Sequence, residues 1–308
     1  MSQTRPWIVI AGPTGSGKSV LGVAVAEQLG GEIVNADSVQ VYRGFDIGSA
    51  KPPESLRERA PHHLFDHVTA DEDFNAAEFS RRARLVCKEI ESRGKRPVIV
   101  GGTGFYLRSL LQGLPEMPEA DERIRQRLRR IHASARGRAL LHRWLARVDP
   151  IAASKIAVND RHRIERALEI WMLTGRPISE RKVDPGASAL GAVLIALAVP
   201  REILVERLDR RVAEMYAAGL VEETRLLLER YPPTARPFGA IGYAEAARVV
   251  WGDLTAEAAA EETKRRTRAY AKRQMAWFRG EQDVHWLDAE RPVKELLEES
   301  LRIIRAEE

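Results

Sequence analysis

The sequence predicts an α/β fold: a parallel sheet flanked by helices, interrupted by an all-helical basic domain. Three observations predict it. Short runs rich in Val and Ile recur, each bounded by Gly, Pro or Asp, as buried parallel strands are. Helical patterns fill the gaps between those runs. The alternation stops between about Pro115 and Pro185, where the chain reads as consecutive arginine-rich helices.

The elements follow in chain order. "WIVIAG" (7–12) is the first strand. It runs through a glycine-rich loop into the helical pattern "SVLGVAVAEQL" (19–29). "EIVNAD" (32–37) is the second strand. "FNAAEFSRRARLVCKEIESR" (74–93) reads as an amphipathic helix with Phe79, Ala83, Val86 and Ile90 on its apolar face, and "PVIVGG" (97–102) as the third strand. Within the interruption, "DERIRQRLRRIHA", "RALLHRWLARV" and "RHRIERALEIWMLTG" are helices, the last capped by Gly175. Strand character returns in "AVLIALAVP" (192–200). Helical stretches 201–231 and 243–252 and a basic helix follow, and "VHWL" (284–287) forms an edge strand. The expected division is a core of residues 1–115 and 190–308, with 116–189 as a helical insertion domain.

Composition narrows the class. At 308 residues, 44% hydrophobic and 30% charged, the chain is an ordinary globular one. No run approaches about 18 apolar residues, so no membrane span is expected. The N-terminus lacks a charged segment, an apolar core and a small-residue cleavage site, so no secretory signal is expected either. The single cysteine, Cys87, excludes an internal disulfide framework and fits a cytoplasmic protein; it reads as a small core residue. A monomer is expected.

Net charge is +5, unevenly spread. Residues 119–182 hold 16 Lys or Arg against 8 Asp or Glu, which leaves the rest of the chain at −3. A second cluster, "KRRTRAYAKRQMAWFR" (264–279), carries seven positive charges, no acid, and the aromatics Tyr270, Trp277 and Phe278. Two segregated basic clusters favour a polyanionic partner over plain solvated faces.

Chemistry begins in "GPTGSGKS" (12–19), which fits G-x-x-x-x-G-K-[ST] between a strand and a helix. Gly12, Gly15 and Gly17 let the backbone curl so that successive N–H groups, including those of Pro13's neighbours Thr14 and Ser16, can face a phosphate. The helix after it adds the positive end of its dipole. Lys18 supplies a charge for the terminal phosphate and Ser19 a hydroxyl for Mg²⁺. The core is therefore P-loop NTPase-like and takes a di- or triphosphate. Many P-loop hydrolases and kinases place an acid at the end of a second apolar strand. Strand 97–102 ends instead in "GGTGFY", with no acid until Glu116, whereas strand 32–37 ends in Asp37. After Asp37 comes "DSVQVYRGFDIGSAKP" (37–52), dense in functional groups at a strand C-terminus, where α/β sheets place ligands. Gln40 could read a base edge there, and Tyr42 could stack or pack. The adjacent pair His62 and His63 reads as packing or hydrogen bonding rather than metal ligation.

Here the chain resembles the tRNA dimethylallyltransferases, also called tRNA isopentenyltransferases. The matching pieces are "GPTGSGKS", "NADSVQVYRGFDIGSAKP", "PHHLFD" (61–66), "VGGTGFYLRSLLQGL" (100–114), "VDPIAASKI" (148–156), "NDRHRIERALEIWMLTG" (159–175), "AIGYAE" (240–245) and "AKRQMAWFRG" (271–280). They stand in family order along nearly the whole chain. Two positions depart from the family pattern, which often has Gln before Ala-Ile-Gly-Tyr and Lys after it; here they are Gly239 and Ala244.

The resemblance implies transfer of a dimethylallyl group from dimethylallyl diphosphate to N6 of the adenosine 3′ of the anticodon, in tRNAs reading codons that begin with U. On that reading Asp37 is the general base. Lys18, the loop Gly12–Ser19, Mg²⁺ and Arg207 or Arg211 hold the departing diphosphate. Thr103 touches the target nucleotide or the reacting centre, and Ser38, Val39 and Gln40 hold the flipped base. Arg125, His162, Arg163, Ile164, Glu165 and Arg166 of the insertion would grip the anticodon stem-loop, with helix packing as the alternative for Ile164 and Glu165. The basic helix 264–279 would lie along phosphate. Two rivals stay open on the residues alone. A small-molecule kinase using ATP would leave the insertion and 37–52 unexplained. A non-catalytic RNA-binding module would leave Asp37 beside an intact Lys18–Ser19 unexplained.

Overall fold

Trp7–Ala11 forms β1, buried at every position, as a continuous apolar run must be when helices cover both faces of its sheet. The structure is a computed structural model that describes residues 5–115, 117–181 and 191–308. Glu116, Lys182, Pro185 and the expected boundary at 189–190 lie outside the described residues. From β1 the chain passes into α1 (Lys18–Leu29), β2 (Glu32–Asn35), α2 (Glu54–Arg57), β3 (His62–His63), α3 (Ala76–Ser92), β4 (Pro97–Gly101) and α4 (Gly104–Gln112). Then come α5 (Glu122–His132), α6 (Ala135–Val148), α7 (Pro150–Lys155) and α8 (Arg161–Thr174). The return runs through β5 (Ala192–Ala198), α9 (Arg201–Ala217), α10 (Leu220–Arg230), α11 (Tyr243–Val250), α12 (Ala256–Arg279), β6 (Val284–Asp288) and α13 (Val293–Ala306).

The six strands pair in parallel in the order β3-β2-β4-β1-β5-β6. The expected edge strand near 284–287 is β6. β3 closes the opposite edge and was not expected, because two residues carry no periodicity. The end of β4 therefore lies between the loop after β1 and the segment after β2. Ile8, Ile10, Val98, Val100, Val193 and Ile195 build one core with Leu21 and Val25 of α1 and Leu296 and Ile304 of α13. Cys87 is fully buried in α3, and burial pushes its thiol well above the usual range. α9 and α10 are separate helices because Gly219 adopts φ 98° between them, a left-handed turn that a side chain would oppose.

The chain divides into two compact units, Met1–Gln112 with Leu190–Glu308, and Gly113–Ala189. The second has its own core of Leu128, Leu141, Leu145, Ile164 and Leu168. Its helices are capped by side chains: Asp121 for α5, Ser134 for α6, Asp149 for α7 and Asp160 for α8, with Gly175 (φ 67°) closing α8.

Candidate active site

The loop between β1 and α1 adopts the conformation its glycines allow. Gly12, Gly15 and Gly17 have φ of 151°, 80° and 87°, and Gly17 is the N-cap of α1. Pro13 turns its carbonyl inward, accepting from Ser16 N–H at 3.2 Å and from Lys18 Nζ at 3.3 Å. Ser16 is 2% exposed, its hydroxyl packed under Gly12. Thr14, Gly15, Gly17, Lys18 and Ser19 line a cavity of about 200 Å³ that also receives Asp37, Gln40 and Arg211. Burial brings the Lys18 ammonium down to about 8; Arg211 pushes the same way and Asp37 opposes.

A second cavity, of about 380 Å³, shares Thr14, Lys18, Asp37, Ser49, Ala50 and Arg211 with the first. Its other walls include Ser38, Val39, Tyr42, Met215, Arg236, Gly239, Ile241, Tyr270 and Arg273. Asp37 closes an Asx turn at the end of β2: its Oδ1 accepts from the N–H of Val39 at 2.8 Å and of Gln40 at 3.3 Å. Thr103, just past β4, accepts from Ser38 N–H at 3.3 Å and lies beside the Tyr270 phenol of α12. Burial, and then the nearby Asp37 charge, push the Tyr270 phenol up to about 12, so it stays neutral. Arg211 bridges Thr14 Oγ1 at 3.1 Å and Ala50 O at 3.2 Å.

The expectations for Arg207 and Gln40 change, while the alternatives for Tyr42, His62 and His63 resolve to packing and hydrogen bonding. Arg207 does not line either cavity; it pairs with Glu290 at 2.8 Å on the same helix that delivers Arg211 to the site. Gln40 lends its amide to the protein, donating to Ser49 O at 3.0 Å and Ala50 O at 3.1 Å. Tyr42 packs rather than stacks on anything exposed: it is 1% exposed, edge-on to Phe45 at 6.0 Å. His62 and His63 are hydrogen-bonded, to Ala60 O and to the buried Glu32, each at 2.6 Å.

The insertion divides the carried-over RNA residues into two kinds. Ile164 is fully buried in the insertion core, so its side chain has no surface for RNA. Glu165 is 5% exposed and faces Arg161 at 3.6 Å and Arg129 at 3.8 Å. Arg125 and Arg166 converge on Glu169, which is fully buried, at 2.9 and 2.6 Å. Burial works against the Glu169 charge, but hydrogen bonds from Arg166, Arg125 and the Asp121 N–H outweigh it and hold the carboxyl below its usual range. Arg161, His162 and Arg163 are exposed on the first turn of α8. On α12, Arg266 pairs with Glu245 and Arg268 with Asp209, whereas Lys272 and Arg273 are exposed.

Sequence reasoning missed Glu223, whose carboxylate accepts from Ile47 N–H at 2.9 Å and Tyr243 Oη at 2.6 Å, fixing the loop beside the second cavity. It also missed Gln274 and Arg236. Gln274 lies far in sequence from the groups it joins, and Arg236 lines the second cavity from a segment that no motif marks.

A parallel sheet, a phosphate-loop motif and a carboxylate at the next-but-one strand end define a P-loop-like α/β protein. The IPP transferase family profile matches residues 40–281. A tRNA dimethylallyltransferase of Koribacter versatilis is 46% identical over 96% of this chain and 97% of its own. That of Geobacter sulfurreducens is 46% identical over 91% of each chain. The solved tRNA isopentenylpyrophosphate transferase of Bacillus halodurans is similar with a TM-score of 0.72 and 35% identity, covering 99% of this chain and 98% of that one. A structure of a eukaryotic dimethylallyltransferase acting on tRNA is similar at 0.71 and 32% identity, over 93% of this chain and 74% of that one. The chain belongs to the IPP transferase family.

Proposed function

We propose that this chain transfers a dimethylallyl group from dimethylallyl diphosphate to N6 of the adenosine 3′ of the anticodon, in tRNAs reading codons that begin with U. One observation supports this most: Lys18 and Asp37 line both cavities, so a diphosphate on the loop and a nucleoside beside Asp37 share a wall. As N6 attacks the allylic carbon, the carbon–oxygen bond to diphosphate breaks. The N6 proton passes to Asp37, and the electron pair leaves with the diphosphate. The Asx turn aims the carboxylate by one oxygen, leaving the other to take that proton.

Lys18, Arg211 and the loop amides other than those of Thr14 and Ser16, which are bonded to Gln274 and Pro13, stabilise charge on the departing diphosphate. Ser19 lines the first cavity, and its hydroxyl is a hard oxygen donor suited to Mg²⁺, which keeps most of its shell as water and phosphate oxygen. Mg²⁺ there would neutralise further leaving-group charge. Thr103 and Tyr270 position the Ser38 side of the nucleoside cavity. The adenosine must leave its stack to enter, which costs less in a single-stranded loop. The exposed Arg161 and Arg163 of α8 and Lys272 and Arg273 of α12 hold RNA phosphate.

The test is nucleoside mass spectrometry of purified tRNA after single turnover with donor and Mg²⁺. Wild-type protein yields N6-(dimethylallyl)adenosine at the nucleotide 3′ of the anticodon. Asp37→Asn, which keeps the turn's acceptor oxygen, loses about 10²–10⁴ in rate with tRNA affinity kept. Prenylation elsewhere, or an Asp37→Asn rate near wild type, contradicts the assignment.

A further inference from the structure

Gln274 sits mid-way along the last two turns of α12, 6% exposed, among arginines and lysines. Its amide spans two segments that belong to different sides of the site. Oε1 accepts from Thr14 N–H of the phosphate loop at 2.9 Å. Nε2 donates to Gly102 O, at the end of β4, at 2.7 Å. Gly102 has no room for more than a hydrogen: a Cβ there would lie 2.4 Å from Gln274 Nε2. One turn earlier on the helix, Tyr270 lies beside Thr103, whose hydroxyl accepts from the Ser38 N–H.

We infer that Gln274 is a positioning residue that sets the distance between the phosphate loop and the Asp37–Thr103 side of the site. The inference deepens the transferase reading and rests on it. The reaction needs the allylic carbon, fixed through its diphosphate to one segment, to meet a nucleophile fixed by the other. A primary amide suits this: one end accepts and the other donates, so a single rigid group fixes both backbones. Its place on a helix that also exposes Lys272 and Arg273 means that RNA held on α12 and the phosphate loop share one support. An error of about 1 Å in such an alignment costs on the order of 10²-fold in rate without weakening either substrate's own contacts.

A glutamine that merely satisfies two buried backbone groups would change stability and leave kinetics alone, so the test separates kcat from KM and adds a pH profile. Gln274→Met keeps the length and removes both hydrogen bonds. Its kcat should fall about 10- to 100-fold, with KM for donor and for tRNA within about threefold. Gln274→Glu at neutral pH points a carboxylate at the Gly102 carbonyl and should be slow. Protonated, it recovers a donor and an acceptor, so its rate relative to wild type should climb as pH falls from about 8 to 5.5. A Met variant within about twofold of wild-type kcat, a donor KM that rises with the loss of kcat, or a flat Glu-to-wild-type ratio across that range would overturn the inference. Amide exchange of the Thr14 N–H needs no substrate: it should quicken in the Met variant, and unchanged exchange would also overturn the clamp. If wild-type protein prenylates nothing, the proposed function fails, and the exchange measurement still decides the role of Gln274.

Discussion

Lys18 carries a charge that the folded protein makes expensive. Burial, with Arg211 nearby, brings its ammonium down to about 8 from 10.5, and Asp37 recovers part of that. The sign follows directly. Between about 8 and 10.5 the unfolded chain holds a proton on Lys18 that the folded chain has released, so this residue's contribution to stability rises with pH across that window and is a cost below it. A bound diphosphate reverses the balance by pairing the ammonium with anionic oxygens. Near pH 8.5, dimethylallyl diphosphate should therefore bind with uptake of a fraction of a proton, read by calorimetry in buffers of different ionisation enthalpy. The uptake should vanish in Lys18→Met. Equal uptake in that variant would place the proton on another group. Arg207 and Arg211 show what sequence can and cannot tell at this scale. They stand four apart, one turn of α9, and either could serve a phosphate by residue type. Only the packing of α9 shows that Arg211 lines the cavities while Arg207 pairs with Glu290.

Among the elements, α5 and α8 of the insertion separate charge that folds from charge that is free to bind. Arg125 and Arg166 neutralise the buried Glu169, so Arg125→Ala leaves that carboxylate short of a partner and should cost about 1–3 kcal/mol of the insertion's stability. Arg161 and Arg163 make only long ion pairs, with the buried Glu165 and the half-exposed Asp160 at 3.6 Å each; Glu165 keeps Arg129 when Arg161 is removed, and long pairs from exposed arginines contribute little. Arg161→Ala with Arg163→Ala should leave Tm near wild type, weaken tRNA binding, and reduce the slope of log K against log salt by about 1–2. Donor binding should not change. A salt slope at the wild-type value would show that α8 does not touch RNA phosphate. The elements themselves were largely legible. Four strands announce themselves as Val- and Ile-rich runs and the edge strand as a short apolar stretch, and three insertion helices by period and caps. β3 and α7 are too short to carry a pattern, and the break between α9 and α10 rests on Gly219 alone. In the site, Lys18, Asp37 and Thr103 were legible because a motif or a strand end marks them. Gln274 was not, because its partners at Thr14 and Gly102 lie 260 and 172 positions away.

For the whole molecule, the sheet order gives the proposed function its physical reason for using this phosphate loop in a chemistry other than nucleotide hydrolysis. β4 lies between β1 and β2 and ends in Gly101 and Gly102, so Asp37 reaches the site from one strand further out. The acid there lines both the loop's cavity and the second one, so on the proposed function it can take a proton from a nucleophile held in the second. No helix among the described residues is long and apolar enough to cross a membrane, and the uneven charge of the chain concentrates its basic groups where a polyanion can meet them. On the proposed function, the loop binds the leaving group of a prenyl transfer and spends no nucleotide. The most direct measurement incubates protein with tRNA, Mg²⁺ and dimethylallyl diphosphate in nucleotide-free buffer and follows prenylated tRNA, with a parallel assay of ATP hydrolysis. Product should form at full rate without ATP, with no ATP turnover in the presence or absence of tRNA. Product that forms only when ATP is added, or ATP hydrolysis stimulated by tRNA, would contradict the proposed function.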